Sequence, residues 1–153
     1  PKMGVIYVPV KKDLYFAMEN LGAYKHINIS KQINDINDLI SSSIELPISL
    51  TRDTYTMVGS RSHMSKETEA FFEEKKQEHG NVEVIAIGSS LKLCMVAEGK
   101  ADVYPRYAPT MEWDTAAGHA IAKYAGFSVT QYNTNQEVVY NKENLLNPWF
   151  LVK

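Results

Sequence analysis

The sequence predicts an α/β fold in which a small antiparallel sheet precedes a domain of alternating strands and helices. Three observations predict it. The 153 residues are 44% hydrophobic and 22% charged, which is typical of one globular domain. Residues 1–27 contain short β-branched and aromatic runs separated by polar turns. From residue 48 onward, the apolar pattern changes repeatedly between the periods of strands and helices.

The first 27 residues predict a three-stranded antiparallel meander. Residues 4–10 and 14–18 predict a hairpin around a polar turn, and residues 23–25 predict the third strand. Residues 28–47 are polar and lack a clear period. They predict a linker with at most one short helical turn, which leaves residues 48–153 as the second domain.

The alternation of strand and helix patterns in the second domain predicts helices packed on a mainly parallel sheet. Ligands of such sheets gather where strands give way to helices. The predicted strands are 54–59, 82–87, 102–106, 127–132 and 149–152, and the predicted helices run from Ser65 to about 78, from about 90 to 98, and from Asp114 to Gly126.

Charge and cysteine usage exclude several classes of protein. The formal net charge of −2 is too balanced for a protein that wraps a nucleic acid polymer. The single cysteine, Cys94, cannot form an internal disulfide or a zinc site, and its apolar neighbours predict a buried, inert thiol. The first ten residues do not read as a secretory signal, and no segment approaches the about 20 apolar residues that span a bilayer. These features indicate a soluble protein of a reducing compartment.

The strongest local signal for a site is Asp114, which precedes a run of small residues at a predicted helix start. One interpretation is an N-cap, in which the carboxylate accepts a hydrogen bond from the first helical turn. The other is an Mg²⁺ ligand, with the helix amides facing a phosphate that the metal bridges. Both can hold, because a carboxylate has two oxygens.

Three further loops carry cations or hydroxyls where strands end. Ser89 and Lys92 follow one strand, and they are either a helix cap and a solvated side chain or a compact anion site. His63 lies in a polar loop after another strand, and Arg106 is either a surface salt-bridge partner or a phosphate clamp. With Asp114, these residues predict one site that combines an acid with several cations.

Longer motifs resemble a known family. Residues 88–126 read GSSLKLCMVAEGKADVYPRYAPTMEWDTAAGHAIAKYAG, which resembles the C-terminal half of the inositol monophosphatase superfamily. The Tyr-Pro-Arg at 104–106 followed by PTMEWDTAAG at 109–118 is similar to the superfamily's bacterial 3'(2'),5'-bisphosphate nucleotidase branch. So are the strand at 4–10, the Ser-Arg-Ser-His at 60–63 and the Asn-Pro-Trp-Phe at 147–150.

The resemblance implies a phosphatase that is Mg²⁺-dependent, uses two or more metal ions and is inhibited by lithium. Its implied reaction removes the 3'-phosphate of adenosine 3',5'-bisphosphate, a by-product of sulfate assimilation, and leaves AMP. It implies Asp114 as a ligand of both metal and substrate, with Ser89, Lys92, Arg106 and His63 as further substrate contacts. The implied location is the cytoplasm or the inner face of the bacterial membrane. Two alternatives stay open: another phosphatase of the superfamily, for inositol monophosphate or a sugar phosphate, and a non-catalytic phosphate-binding module.

One departure from the family concerns the metal. In the family, further metal ligands lie in an upstream glutamate and an Asp-Pro-hydrophobic-Asp-Gly-Thr segment, which is absent from these 153 residues. We therefore expect the chain to be the C-terminal part of such an enzyme, with residues 1–27 belonging to the sheet of an N-terminal domain that would be its partner. A single carboxylate cannot assemble a two-metal site, so we expect the chain alone to be inactive. Strands 4–18 are expected to disorder or to pair with another copy.

Overall fold

The structure is a computed structural model that describes residues 1–49, 51–59 and 64–153. Its N-terminal part is a four-stranded antiparallel sheet, here called the first sheet, with the strand order β1-β2-β3-β4. The strands are β1 (Met3–Val8), β2 (Asp13–Met18), β3 (Gly22–His26) and β4 (Ile44–Glu45). The predicted three-stranded meander is confirmed.

The segment predicted as a linker contributes to the first sheet. It holds a short helix, α1 (Ile36–Ser41), whose N-cap Asp35 accepts a hydrogen bond from the Asn37 N–H at 2.7 Å. It also holds β4, which pairs with β3. The prediction of a linker with at most one short helical turn missed β4, because a two-residue strand shows no alternation and is fixed only by its partner strand.

The second part alternates strands and helices as predicted. Its first helix begins after Ser65, whose hydroxyl oxygen accepts the Thr68 N–H at 3.2 Å, so the predicted cap is confirmed. The elements are β5 (Tyr55–Gly59), α2 (Lys66–His79), β6 (Val82–Ala86), α3 (Leu91–Ala97), β7 (Tyr104–Arg106), α4 (Glu112–Tyr124), β8 (Val129–Gln131) and β9 (Phe150–Val152). In the described ranges, no helix has the length and apolar character needed to cross a bilayer.

The prediction of a mainly parallel sheet is only half right. Strands β5 and β6 are parallel, and a parallel bridge joins Met57 of β5 to Val103. However, β9 lies between β7 and β8 and is antiparallel to both. The reason is the connection between β8 and β9, whose residues 132–149 are all described and form no helix, whereas parallel neighbours usually need a helical crossover.

Helix α4 lies at the centre of the fold, between the first sheet and α3. Its buried face includes Ile121 and Ala122, which belong to the same apolar core as Val96 of α3 and Ala17 of β2. Small side chains let these elements approach closely. The packing fixes the first turn of α4 beside the start of α3 and the end of β7.

Strand β1 and helix α4 pack so closely that one methyl group added to β1 is expected to lower the stability of the fold. A Cβ at Gly4 would overlap the backbone oxygen of Ala117 and lie 2.9 Å from the Ala120 Cβ. We expect Gly4→Ala to lower the free energy of unfolding by at least about 1–3 kcal/mol, measured by urea denaturation. Gly88→Ala is the control, because its Cβ would meet nothing within 4 Å. Equal stability of both variants would contradict this packing.

Candidate functional site

Four of the five residues predicted for the site line one cleft. The cleft has a volume of about 730 Å³ and lies where α3, β7 and the first turn of α4 meet. Its lining includes Ser89, Lys92, Arg106 and Asp114. His63 lies outside the described residues. The structure therefore brings together residues from three separate segments of the chain, while their chemical roles stay predictions.

Lys92 is the buried cation of this cleft. It is only 6% exposed, so its interpretation as a solvated side chain was wrong. Its Nζ donates to the backbone oxygen of Ser89 at 3.3 Å and lies 5.6 Å from the centre of the Tyr104 ring. Burial lowers the pKa of Lys92, and the positive charge of Arg106 lowers it further. No carboxylate of the described residues forms an ion pair with this ammonium group.

Arg106 supplies a second cation at the end of β7. Its Nη2 donates to the Pro109 oxygen at 3.1 Å. Its Nε is buried and has no hydrogen-bond partner within the ranges that the structure describes. The surface salt bridge considered for Arg106 is not formed with any described carboxylate. An unpaired buried N–H is costly unless something supplies an acceptor, so Arg106 is suited to an anion.

Asp114 lies at the exposed mouth of the cleft, but it is not the N-cap. Helix α4 begins after Met111, whose extended backbone (φ −99°, ψ 162°) marks it as the cap residue. Asp114 is the third helical residue, and its Oδ2 accepts the Met111 N–H at 2.8 Å. The predicted cap was therefore displaced by three residues. In the described part of the chain, Oδ1 has no hydrogen-bond partner.

Ser89 holds an unusual backbone conformation next to Lys92. Its φ of 60° lies in the left-handed region, which residues with a side chain seldom adopt. The cap of α3 is Ser90 instead, and it makes no side-chain capping bond. Ser89 is exposed, and its hydroxyl group makes no hydrogen bond to another described residue. Such strain is often found at functional sites, where a side chain or backbone group must be aimed.

The donor set of the cleft suits a phosphate better than a complete metal shell. Lys92 and Arg106 both donate, and neither has an anionic partner among the described residues. Mg²⁺ prefers hard oxygen ligands, and Oδ1 of Asp114 fits one of them. Across the described ranges, no three or more His, Cys, Asp or Glu side chains cluster in a way that could hold a metal. Asp114 thus fits as a single ligand, with the rest of a shell left to phosphate oxygens, water or other polypeptide.

A second cleft of similar size does not share this chemistry. It measures about 750 Å³ and lies between α2 and β8. Among the described residues, its lining includes the acids Glu67 and Glu74 but only one cation, Lys153. A polyanion would be repelled by the two carboxylates. Volume alone therefore does not identify the site, whereas buried, unpaired cations favour the cleft at Lys92.

The sequence analysis missed the polar inner face of α4. Glu112, Thr115 and His119 recur at helical spacing, and all three are buried. The Glu112 carboxylate accepts the backbone N–H groups of Asn141 at 2.7 Å and Lys142 at 3.2 Å, and it pairs with the Lys142 ammonium. These contacts tie the helix that carries Asp114 to the C-terminal loop. The spacing of three polar residues on one helix face was the available signal.

The burial of His119 predicts that the folded protein loses stability in acid. It is fully buried between Tyr140, 2.9 Å from Nδ1, and Glu137, 3.0 Å from Nε2. Burial lowers the pKa of His119 from 6.5 to about 4, although the nearby charge of Glu137 acts in the opposite direction. The unfolded chain therefore binds this proton first, and the free energy of unfolding falls as the pH drops from about 6.5 to about 4.

We expect His119→Gln to flatten this pH dependence, which has a limit of about 1.4 kcal/mol per pH unit for one group. Urea denaturation at a series of pH values between neutrality and the lowered pKa measures it. Glu137 also has a lowered pKa, so some acid sensitivity remains below its ordinary value of 4.5 in both proteins. Identical slopes above that value in wild type and variant would contradict the neutral, buried His119.

Comparison with known proteins identifies the family. Residues 1–149 match the model of the inositol monophosphatase family. The chain belongs to this family. The predicted resemblance and the predicted inositol monophosphatase-like α/β fold are therefore confirmed.

Among individual relatives, the chain is similar to bisphosphate nucleotidases. It is 38% identical to the 3'(2'),5'-bisphosphate nucleotidase CysQ of Salmonella typhimurium, over 99% of this chain and 54% of that protein. The corresponding Escherichia coli K12 protein is 37% identical over the same shares. The chain thus spans about half the length of the curated relatives it matches.

Solved structures agree on the fold. The crystal structure of CysQ from Bacteroides thetaiotaomicron is 55% identical, with a TM-score of 0.95 over 100% of this chain and 58% of that chain. A Staphylococcal IMPase-II structure has a TM-score of 0.67 at 19% identity, over 99% of this chain and 53% of that chain, which shows the shared fold alone.

Proposed function

We propose that this chain carries the nucleotide-holding half of a phosphatase that converts adenosine 3',5'-bisphosphate to AMP and phosphate. The observation that carries the proposal is the pair of cations in one cleft. Lys92 is buried, Arg106 has a buried Nε without an acceptor, and neither has a carboxylate partner among the residues described. The names of the similar nucleotidases support the choice of substrate.

In this proposal, the two cations hold the phosphate that is not cut. Arg106 can offer parallel N–H donors to one phosphate, and Lys92 adds a point charge from the cleft wall. A dianion near Lys92 would offset the cost of burying its ammonium group, so binding raises the pKa that burial lowers. The exposed hydroxyl of Ser89 supplies a further donor.

Asp114 acts at the other end of the substrate in the same proposal. Its Oδ1 would hold Mg²⁺, which when bound activates a water molecule and stabilises the leaving oxygen. The remaining acidic ligands would come from polypeptide outside these 153 residues. The chain alone is then expected to bind the nucleotide without releasing phosphate.

Substrate comparison tests the function. The full-length protein is assayed for phosphate release, with Mg²⁺, from adenosine 3',5'-bisphosphate, inositol monophosphate and fructose 1,6-bisphosphate. We expect the nucleotide to give the highest kcat/KM, with a requirement for Mg²⁺ and inhibition by lithium. Equal or faster release from inositol monophosphate or fructose 1,6-bisphosphate would assign the protein to another branch of the family. Tight binding of the nucleotide without release from any substrate would favour the non-catalytic module.

An exposed apolar face of the first sheet supports the proposal that a further domain packs against this chain. Met3, Val5 and Met18 of the first sheet are 63%, 54% and 44% exposed, and they line an apolar groove of about 220 Å³ together with Ile36 and Leu39 of α1. The bisphosphate nucleotidases of Salmonella typhimurium and Escherichia coli K12 are almost twice as long as this chain, so the proposed cover is the further domain of the whole protein. Large exposed apolar patches on isolated domains promote association.

We therefore expect the 153-residue chain alone to associate with increasing concentration in sedimentation velocity. Met18→Lys should weaken this association because it places a charge in the groove. Met64→Lys is the control, since Met64 is 43% exposed but lies outside the groove. A monomer at every concentration would argue against an uncovered interface.

A further inference from the structure

The start of α4 is paired with the C-terminal segment of the chain. The Asn147 N–H donates to the Thr110 oxygen at 2.8 Å, and the Glu112 N–H donates to the Leu145 oxygen at 3.0 Å. The two segments run antiparallel at this point. The position at which α4 begins is therefore set by residues more than 30 positions later in the chain.

The side-chain amide of Asn147 forms further hydrogen bonds between the C-terminal segment and the start of α4. Asn147 is buried, with 4% exposed. Its Nδ2 reaches the Met111 oxygen at 2.8 Å, the Thr115 hydroxyl oxygen at 2.9 Å and the Thr110 hydroxyl oxygen at 3.2 Å. The two hydroxyl groups can donate as well as accept, but the Met111 carbonyl oxygen can only accept, so this contact requires a donor on residue 147. An ionised carboxylate of the same size could not replace the amide.

Met111 connects this amide to Asp114. Its carbonyl oxygen accepts from Asn147 Nδ2 at 2.8 Å and from the Asp114 N–H at 3.0 Å. Its own N–H donates to Asp114 Oδ2 at 2.8 Å. Hydrogen bonds thus hold both the carbonyl group and the N–H group of Met111, and the N–H points at one carboxylate oxygen of Asp114. The other oxygen is left without a hydrogen-bond partner among the described residues.

We propose that Asn147 is a positioning residue for Asp114. By fixing the Met111 backbone, it holds one oxygen of the Asp114 carboxylate and turns the other toward the cleft. Asn147 itself does not line the cleft, so it acts through its hydrogen-bond partners, among which Met111 is the one that is bonded to Asp114. The proposal rests on the proposed function, in which Asp114 Oδ1 holds Mg²⁺.

Asn147→Asp in the full-length protein tests it, because the change keeps the size and removes both donors. Residues that orient a metal ligand typically contribute about 10–100-fold in metal affinity, and we expect the Mg²⁺ concentration for half-maximal activity to rise by this factor. The KM for the nucleotide should change by less than about threefold, since Lys92 and Arg106 are untouched. Binding of Mn²⁺, measured by electron paramagnetic resonance without turnover, should weaken in parallel.

Three further variants complete the test. Asn147→Ser removes the amide without adding a charge, so the result does not depend on whether Asn147→Asp folds. Asn135→Asp, at an exposed position, controls for the added negative charge and should change nothing. In the double variant with Asp114→Asn, loss of Asn147 should weaken Mn²⁺ binding no further, because its effect passes through Asp114.

The outcomes separate this inference from the proposed function. If Asp114→Asn leaves the Mg²⁺ requirement and Mn²⁺ binding unchanged, the proposed function and this inference both fail. If Asp114→Asn weakens metal binding but both Asn147 variants only lower the melting temperature, Asn147 is structural and this inference alone is overturned. Weaker Mn²⁺ binding with an unchanged nucleotide KM supports it.

Discussion

Lys92→Met is expected to weaken nucleotide binding while leaving the fold as stable as the wild type or more stable. A hydrogen bond to a charged group contributes roughly 1.5–3 kcal/mol, so the Kd for adenosine 3',5'-bisphosphate should rise about 10–100-fold. The stability change has the opposite sign because methionine removes a buried ammonium group that has no carboxylate partner among the described residues. A substitution seldom weakens nucleotide binding while it keeps or raises the free energy of unfolding.

Isothermal titration calorimetry and urea denaturation of the 153-residue chain measure the two effects. Lys76→Met is the matched control, since Lys76 is exposed and its Nζ lies 3.3 Å from the Glu73 carboxylate. That variant should keep its affinity and change the free energy of unfolding by less than about 0.5 kcal/mol. An unchanged affinity in Lys92→Met would show that the buried cation does not contact the nucleotide.

Asp114→Asn is expected to abolish most of the turnover of the full-length protein. Loss of a ligand that stabilises transition-state charge costs several kcal/mol, which corresponds to roughly 10³-fold or more in kcat. Folding should change little, because the asparagine oxygen can still accept the Met111 N–H. The lost interaction between the carboxylate and the helix dipole costs only about 0.3–1 kcal/mol.

Phosphate release at saturating Mg²⁺ and the melting temperature measure these effects. Asp38→Asn is the control, because Asp38 is also an exposed acid in the first turn of a helix, α1, and does not line the cleft. A near-normal kcat in Asp114→Asn with an unchanged Mg²⁺ requirement would exclude the ligand role. A large loss of melting temperature would assign Asp114 to helix stability instead.

Short sequence patterns predicted those helices and strands that depend on residues close to one another in the chain. The hairpin of the first sheet follows from alternating residues and polar turns, and α2 follows from the hydroxyl of Ser65. The direction of β9 was not predictable in the same way, because three residues carry no information about the neighbours that flank them. The helix-free connection from β8 favours that direction, but the place of β9 between β8 and the earlier strand β7 depends on pairing that its own residues do not show.

The site shows the same limit. The residue types at Ser89, Lys92, Arg106 and Asp114 indicated an anion and a metal, and the structure places them on one cleft. The burial of Lys92 was missed, because lysine is seldom buried and the enclosing groups come from β7. The start of α4 was misplaced, because Asn147 fixes it through contacts over a long sequence separation. Propensity at Asp114 could not reveal those contacts.

A crystal structure of the chain with adenosine 3',5'-bisphosphate tests the central claim most directly. We predict a phosphate oxygen within hydrogen-bonding distance, about 3.2 Å or less, of both Lys92 Nζ and the Arg106 guanidinium, with Asp114 facing the same ligand. Nucleotide bound instead between α2 and β8, with Lys92 and Arg106 unpartnered, would contradict the claim.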